Sequence, residues 1–256
     1  MEVGYIVAGF VVGVLVGLTG VGGGSLMTPI LLLVFHIKPA VAVGTDLLFA
    51  SVTKSAGIFA HGKLGNIDWK MVRLLALGSV PASALTIYFL STVDVDSSAA
   101  ISTIKFWLGI ALIITSAAVL FRNTLIKLVA KEEWLPAQYV APATVLLGVI
   151  LGALVTLTSV GAGALGVTAL ILLYPHKKIT TIIGSDIAHA VPLTMVAGLG
   201  HATIGTIDYP LLGTLLIGSI PGIYLGSHLS TKVAEHWVRI ALACILIYVG
   251  FKLILH

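Results

Sequence analysis

The sequence predicts an all-α polytopic membrane protein of two inverted repeats, each a broken, re-entrant helical hairpin followed by three transmembrane helices. Three observations predict it. Charge is too sparse for a water-facing surface, the apolar runs reach helical membrane-spanning length, and the two halves resemble each other at a nearly constant separation.

The 256 residues are 58% hydrophobic and 9% charged, with a mean hydropathy of +1.12. A soluble domain carries about 25% charged residues. Strands of a membrane barrel alternate in runs of about 10 residues, and the apolar runs here are far longer. The net charge is +4, and 14 Lys and Arg are spread too thinly for a nucleic-acid-binding face. They read instead as orientation signals. Cys244 is the lone cysteine, so no disulfide framework exists, and its apolar surroundings predict a buried, inert thiol. The first residues are apolar from Val3, with Glu2 and no Lys or Arg before them. They read as a retained helix rather than a signal peptide.

The first apolar segments, 3–20 and 25–36, flank Gly17 to Pro29, G-L-T-G-V-G-G-G-S-L-M-T-P. Glycine permits backbone angles that end a helix and lets a ligand touch main chain. Freed N–H groups inside a bilayer need another partner, and a restarting helix points its positive end into the gap. Ser25 is placed to cap that restart, and Pro29 to sit where no N–H is missed. Segments 40–60, 70–90 and 101–121 follow as full spans of about 20 residues. Residues 122–136, R-N-T-L-I-K-L-V-A-K-E-E-W-L-P, read as an interfacial helix or a plain connecting loop.

The pattern then recurs at 137–158, 163–174, 179–200, 209–227 and 237–255. Thr156 opens T-L-T-S-V-G-A-G-A-L-G, in which Thr158, Val160, Gly161 and Gly163 follow Thr19, Val21, Gly22 and Gly24 by 139 residues. Ala162 and Ala164 then stand where the first tip has Gly23 and Ser25. Beyond the tips the separation becomes 140: Gly44-Thr45-Asp46 with Gly184-Ser185-Asp186, His61 with His201, Asp68 with Asp208, and Gly78-Ser79-Val80-Pro81 with Gly218-Ser219-Ile220-Pro221. Residues 1–121 therefore form a first repeat, 122–136 a linker and 137–256 a second repeat. The segments 25–36 and 163–174 would cover only about 18 Å of a hydrocarbon core about 30 Å thick.

Charge sets the orientation. If each glycine stretch merely kinked one spanning helix, the loop Lys and Arg would divide six to seven. If each is the tip of a hairpin, ten fall on one side, and only Lys38, Lys105 and Lys252 on the other. The second split obeys the positive-inside rule. It inverts the repeats and places both termini outside the cell membrane.

These motifs resemble the sulfite exporter TauE/SafE family, also called toluene-sulfonate uptake permeases. The resemblance rests on the G-x-x-G-V-G-G-G tip, the G-T-D and G-S-D elements, and the repeated H-G-x-x-G-x-I-D and G-S-x-P motifs. It covers nearly the whole chain and implies secondary transport of a small sulfur-containing anion, such as sulfite, thiosulfate or an organic sulfonate, generally tied to an ion gradient.

The expected partners are a small anionic substrate and the lipid bilayer. Thr19, Gly22, Gly23, Gly24 and Ser25, with Thr158, Ser159, Gly161 and Gly163, form the expected anion site; close helix packing through small residues is the alternative reading. Lys54 lies inside a span, where an ammonium needs a partner or a function. It either attracts the anion, pairs with Asp46, or snorkels to the edge. Asp46 and Asp186 read as caps of the helix breaks or as proton carriers, with His189 one turn from Asp186 as an exchange partner. His61 and His201 read as helix-end residues, and Asp68 and Asp208 as N-caps.

No cofactor is expected, and no metal: the eight histidines lack ligand spacing. The leading function is a transporter that rocks one inverted half against the other. An anion channel is the alternative. An intramembrane serine protease would need Ser159 and His189 in hydrogen-bond reach, and the first tip has Gly20 where the second has Ser159, so no enzyme is expected.

Overall fold

The computed structural model describes residues 2–19, 24–63, 65–129, 135–229 and 235–255. Regular structure among them is entirely helical. The first half contains α1 (Glu2–Thr19), α2 (Gly24–Leu33), α3 (Pro39–Lys63), α4 (Trp69–Ser91) and α5 (Ser98–Val129). The second contains α6 (Ala137–Thr158), α7 (Ala164–Leu173), α8 (Ile179–Thr203), α9 (Tyr209–Leu229) and α10 (Glu235–Leu255). Among the described residues, α4, α5, α6, α8 and α9 are each long and apolar enough to cross a membrane.

The helices fall where the apolar runs place them, and both glycine stretches separate two helices. The short arms α2 and α7 have 10 residues each, about 15 Å of rise, or half a hydrocarbon core. Each folds back along its predecessor. Phe35, just past α2, stacks on Tyr5 at the start of α1 with ring centroids 4.7 Å apart. Tyr174, just past α7, shares a 2.8 Å hydrogen bond with Thr144 of α6. The first arms end 139 residues apart, at Thr19 and Thr158, and the second arms start 140 apart, at Gly24 and Ala164. The one-residue shift between the halves therefore falls inside the break. Helix starts pair Gly24 with Ala164 and Ser25 with Leu165, one place away from the sequence alignment of the tips. Pro29 is the sixth residue of α2, past the first turn, so its position is not the cost-free one expected of it.

The halves interleave. Along the chain, α1 packs on α9 and α4 on α6, while α3 meets α8 and α5 meets α10. The first two pairs are built from glycine. Gly9 and Gly13 lie against the backbone of Leu215 and Ser219, and Gly148 and Gly152 against that of Leu75 and Ser79. From the other side Gly218 presses on Ile6 and Gly78 on Val145. A Cβ at any of these positions would meet a carbonyl oxygen; in lipid, such small-residue seams replace the hydrophobic effect as the source of helix attraction. Residue numbers rise together along both seams, so these pairs are parallel. The repeat-related pairs run antiparallel. Gly198 packs on Leu48, and Ser51 donates to Val191 O at 3.4 Å, the residue 140 positions on. Gly109 meets Gly250, and Ser116 donates to Ala243 O at 2.8 Å.

Polarity is distributed inside out relative to a soluble domain. Leu77, Leu85 and Phe89 of α4 and Ile217 and Tyr224 of α9 are exposed, whereas Asp46 and Lys54 of α3 and Asp186 and His189 of α8 are buried. Helix ends are tied across the halves. The Asp68 N–H donates to Ser185 Oγ at 2.8 Å, and the Asp208 N–H to Thr45 Oγ1 at 3.1 Å. Each Thr/Ser of a Gly-Thr/Ser-Asp motif thus holds the N-cap aspartate of the other repeat.

Two further expectations change. Residues 122–129 continue α5, a helix of 32 residues, and the stretch expected as an interfacial helix is next described at 135. Cys244 is free and exposed on α10, because it lies on the outer face rather than on the seam with α5.

Candidate functional site

The second tip is fully described. Ser159 ends α6 in the left-handed region at φ 57°, and Gly161 and Gly163 carry φ of 121° and 126°. Side-chain-bearing residues rarely adopt these angles, which explains the two glycines. The turn is closed by Gly166 N–H to Gly161 O at 3.1 Å and Val167 N–H to Gly163 O at 2.9 Å. Among the described residues, the N–H groups of Gly161, Ala162, Gly163 and Ala164 have no main-chain acceptor. Gly163 and Ala164 are orphan donors of the helix start, where its positive end lies, and Gly161 and Ala162 belong to the turn before it.

Thr158 is committed elsewhere. Its hydroxyl donates to Leu154 O at 2.7 Å and accepts the Val160 N–H at 3.1 Å, so it shapes the break. Ser159 Oγ is buried without a hydrogen-bond partner. In the first tip, Gly22 and Gly23 lie outside the described residues, as do the side chains of Thr19 and Ser25; Gly24 opens α2.

Lys54 joins α3 to this tip. Its ammonium donates to Ala162 O at 2.8 Å and is 6% exposed. Among the described residues no Lys54–Asp46 ion pair forms, and the ammonium bonds instead the carbonyl that the helix break leaves free. Both Asp46 and Asp186 still lie within electrostatic range of Lys54.

The two aspartates differ. Asp46 Oδ2 accepts from Thr28 twice, from Oγ1 at 2.6 Å and from the N–H at 3.2 Å, binding α3 to the start of α2. Ser159 stands beside Asp46, yet neither its hydroxyl nor Asp46 Oδ1 completes a hydrogen bond. The repeat mate of Thr28 is Thr168, which turns back to Ala164 O at 2.7 Å. Asp186 Oδ1 therefore lies against Gly166 of α7, and both its oxygens are buried without a hydrogen-bond partner.

His189 makes no hydrogen bond with Asp186. Its Nε2 meets Ser79 Oγ of α4 at 2.7 Å, while Nδ1 is unpartnered. The two side chains are a helical turn apart but face α4 and α7. Ser159 Oγ and His189 Nδ1 are each buried without a hydrogen-bond partner. His201 is a clamp: Nε2 bonds Thr156 O at 3.0 Å and Nδ1 bonds Thr206 Oγ1 at 2.7 Å. The side chain of His61 lies outside the described residues.

At one end of the bundle, Asp68 caps α4 through the N–H groups of Lys70 and Met71, at 3.0 and 3.2 Å, and pairs with Lys177 at 2.9 Å. Partial burial alone would raise its pKa. The hydrogen bond and charge of Lys177 and the two N–H donors outweigh burial and hold the carboxyl below its ordinary range. Asp208 caps α9 likewise through Leu211 N–H at 2.9 Å. At the other end, Lys38 and Asp96 form an exposed 2.7 Å pair.

Sequence reasoning missed Thr28, Ser79, Gly166 and the Ala162 carbonyl. Thr28 and Thr168 stand 140 residues apart, a signal within reach; Ser79 was read only as part of a repeated motif.

A buried ammonium and two buried carboxylates on helices beside a helix break are groups that a membrane transport protein is expected to carry. The comparisons agree. The family model for sulfite exporter TauE/SafE matches residues 5–253, and the chain belongs to that family. It is 40% identical over 256 residues to the probable membrane transporter protein YjnA of Bacillus subtilis, covering 99% of this chain and 100% of the relative. A probable membrane transporter protein of Methanocaldococcus jannaschii is 32% identical, over 98% of this chain and 94% of its own. No solved structure matches the chain.

Proposed function

We propose that the protein is a secondary transporter that moves a small sulfur-containing oxyanion across the cell membrane by alternating access. The observation that carries this reading is the second tip. Among the described residues, the N–H groups of Gly161 to Ala164, in the turn that opens α7, have no main-chain acceptor, and the buried ammonium of Lys54 is bonded to the same turn. An oxyanion has several acceptor oxygens and one charge or more, which suits such donors and a helix start. The Gly161 to Ala164 backbone and Lys54 would hold it, with Ser159 Oγ as a free donor, and Asp46, Asp186 and His189 lie around them. The sulfur chemistry of the substrate follows from family membership.

The antiparallel pairing of α3 with α8 and of α5 with α10 supports an inverted-repeat arrangement. Two further contacts are consistent with the charge-based orientation. Lys38 pairs with Asp96 and Lys177 with Asp68, each joining loops that the hairpin topology puts on one side. Both termini then lie outside.

The test is uptake by proteoliposomes of thiosulfate, sulfite, ethanesulfonate, sulfate and a carboxylate, with and without an imposed ion gradient. Accumulation of a sulfur oxyanion above its external concentration supports a transporter. Movement only down the anion's own electrochemical gradient supports a channel instead. No movement of any of them refutes both.

A further inference from the structure

We propose that Asp186 is the proton-binding site of this transporter, that its protonation accompanies anion binding, and that Asp46 is a fixed anion serving structure. The proposal rests on the transport reading above. It starts from a broken symmetry. In the first half a carboxylate of α3 receives two hydrogen bonds from Thr28 of α2. In the second half the matching threonine has turned to its own helix, and Gly166, where α2 has Leu26, offers a bare backbone surface to Asp186 Oδ1. Asp186 is 1% exposed, and neither oxygen has a hydrogen-bond partner. A carboxylate without donors is costly to bury and is relieved by taking a proton.

The surrounding charges are few. Among the described residues, Lys54 on α3 acts electrostatically on both Asp186 and Asp46, and His189 follows Asp186 by one turn of α8. Facing helix α7 has no ionisable side chain, α6 has only Tyr139, and the ionisable residues of α4 stand at its ends, Lys70, Arg73 and Tyr88, with Ser79 between. His189 presents Nε2 to Ser79, not to Asp186. Without a proton, one ammonium faces two carboxylates and the cluster carries one negative charge. An anion arriving at Lys54 would make that worse. A proton on Asp186 leaves Lys54 and Asp46 balanced, and the anion then enters a neutral site. Anion and proton therefore favour each other's binding, and by linkage the preference is reciprocal.

The step is a simple transfer. A proton from water on one side joins a carboxylate oxygen of Asp186, travels with the anion through the access change, and leaves to water on the other side. No redox partner is involved.

Two measurements test this. The first is infrared difference spectroscopy of the purified protein on addition of thiosulfate. A band of a protonated carboxyl, shifting in heavy water, is expected in the parent and in Asp46→Asn, and is expected to be lost in Asp186→Asn. Loss in Asp46→Asn with retention in Asp186→Asn, or no such band at all, overturns the assignment. This readout needs thiosulfate binding but not transport: no binding by calorimetry counts against the transport reading, whereas binding without the band overturns the assignment.

The second compares thiosulfate accumulation driven by an imposed pH gradient with thiosulfate–thiosulfate exchange in proteoliposomes. The parent is expected to accumulate the anion and to bind it more tightly as pH falls, by roughly 5–150-fold. Asp186→Asn mimics the protonated state. It is expected to lose gradient-driven accumulation while exchange persists without pH dependence. Retained proton-driven accumulation in Asp186→Asn overturns the proposal.

Discussion

At the scale of single residues, the site is a set of buried groups whose partners decide their roles. Lys54 bonds a carbonyl that exists as a free acceptor only because α6 and α7 are separate helices. Replacing it by Met removes the ammonium but keeps the bulk. Anion uptake is expected to fall more than about tenfold, a loss of about 1.4 kcal/mol or more, and uptake at the parent rate would remove Lys54 from the mechanism. Thr28→Val deletes a hydrogen bond to a charged group, for which about 1.5–3 kcal/mol is expected. Thermal unfolding in detergent is the measurement, and an unchanged transition would show that Asp46 does not depend on Thr28. Asp68 adds a pH-dependent contribution. Its pKa is depressed in the folded protein, so its stabilisation is present above the ordinary carboxylate range, about 4, and is lost as pH falls through the lower folded value. Asn still caps a helix well, whereas Ala costs about 1 kcal/mol, and an exposed ion pair adds 1 kcal/mol or less. Asp68→Asn should therefore be milder than Asp68→Ala and lack this acid limb.

At the scale of elements, the helices and their breaks were legible because lipid allows few alternatives: long apolar runs must be helices, and glycine clusters within them must be irregular. What each break holds was less legible. The sequence marks Lys54 and Asp186 as unusual, but a carbonyl such as that of Ala162 has no signature in a list of side chains. The Gly9/Gly13 and Gly148/Gly152 spacings are readable as helix seams, yet nothing local says that the partners lie in the opposite half. Cys244 was misjudged for a related reason: an apolar residue in a bilayer protein faces lipid as readily as it faces the core. Gly161→Ala isolates the backbone requirement, since a Cβ there would make only ordinary contacts, at 3.5 Å or more. The φ of 121° alone should cost about 1–3 kcal/mol, read as a lowered melting temperature. Unaltered stability would mean that this turn relaxes.

At the scale of the whole molecule, the repeats make orientation testable. In intact cells, cysteines at positions 63 and 178 should react from the inner face and one at 38 from the outer, in a background lacking Cys244. Labelling of 38 and 178 from the same face would refute the inverted arrangement. Sequence and structure meet best here: the 140-residue spacing reappears as Ser51 on Val191, a contact between repeat mates at the middle of α3 and α8. The asymmetry of Asp46 and Asp186 shows where the two halves have parted chemically while keeping one backbone plan.

The parallel seams of α1 with α9 and α4 with α6 bear on how such a protein can move. Each hairpin is clasped by a helix from the opposite half of the polypeptide, so any rigid body containing a tip draws on both halves. A shift between outward- and inward-open shapes would slide these mixed packages past the α3–α8 crossing, rather than swing residues 1–121 against 137–256. Neither fragment, made alone, would then hold its tip in place, while the two made together would dock through their glycine seams and restore the carrier.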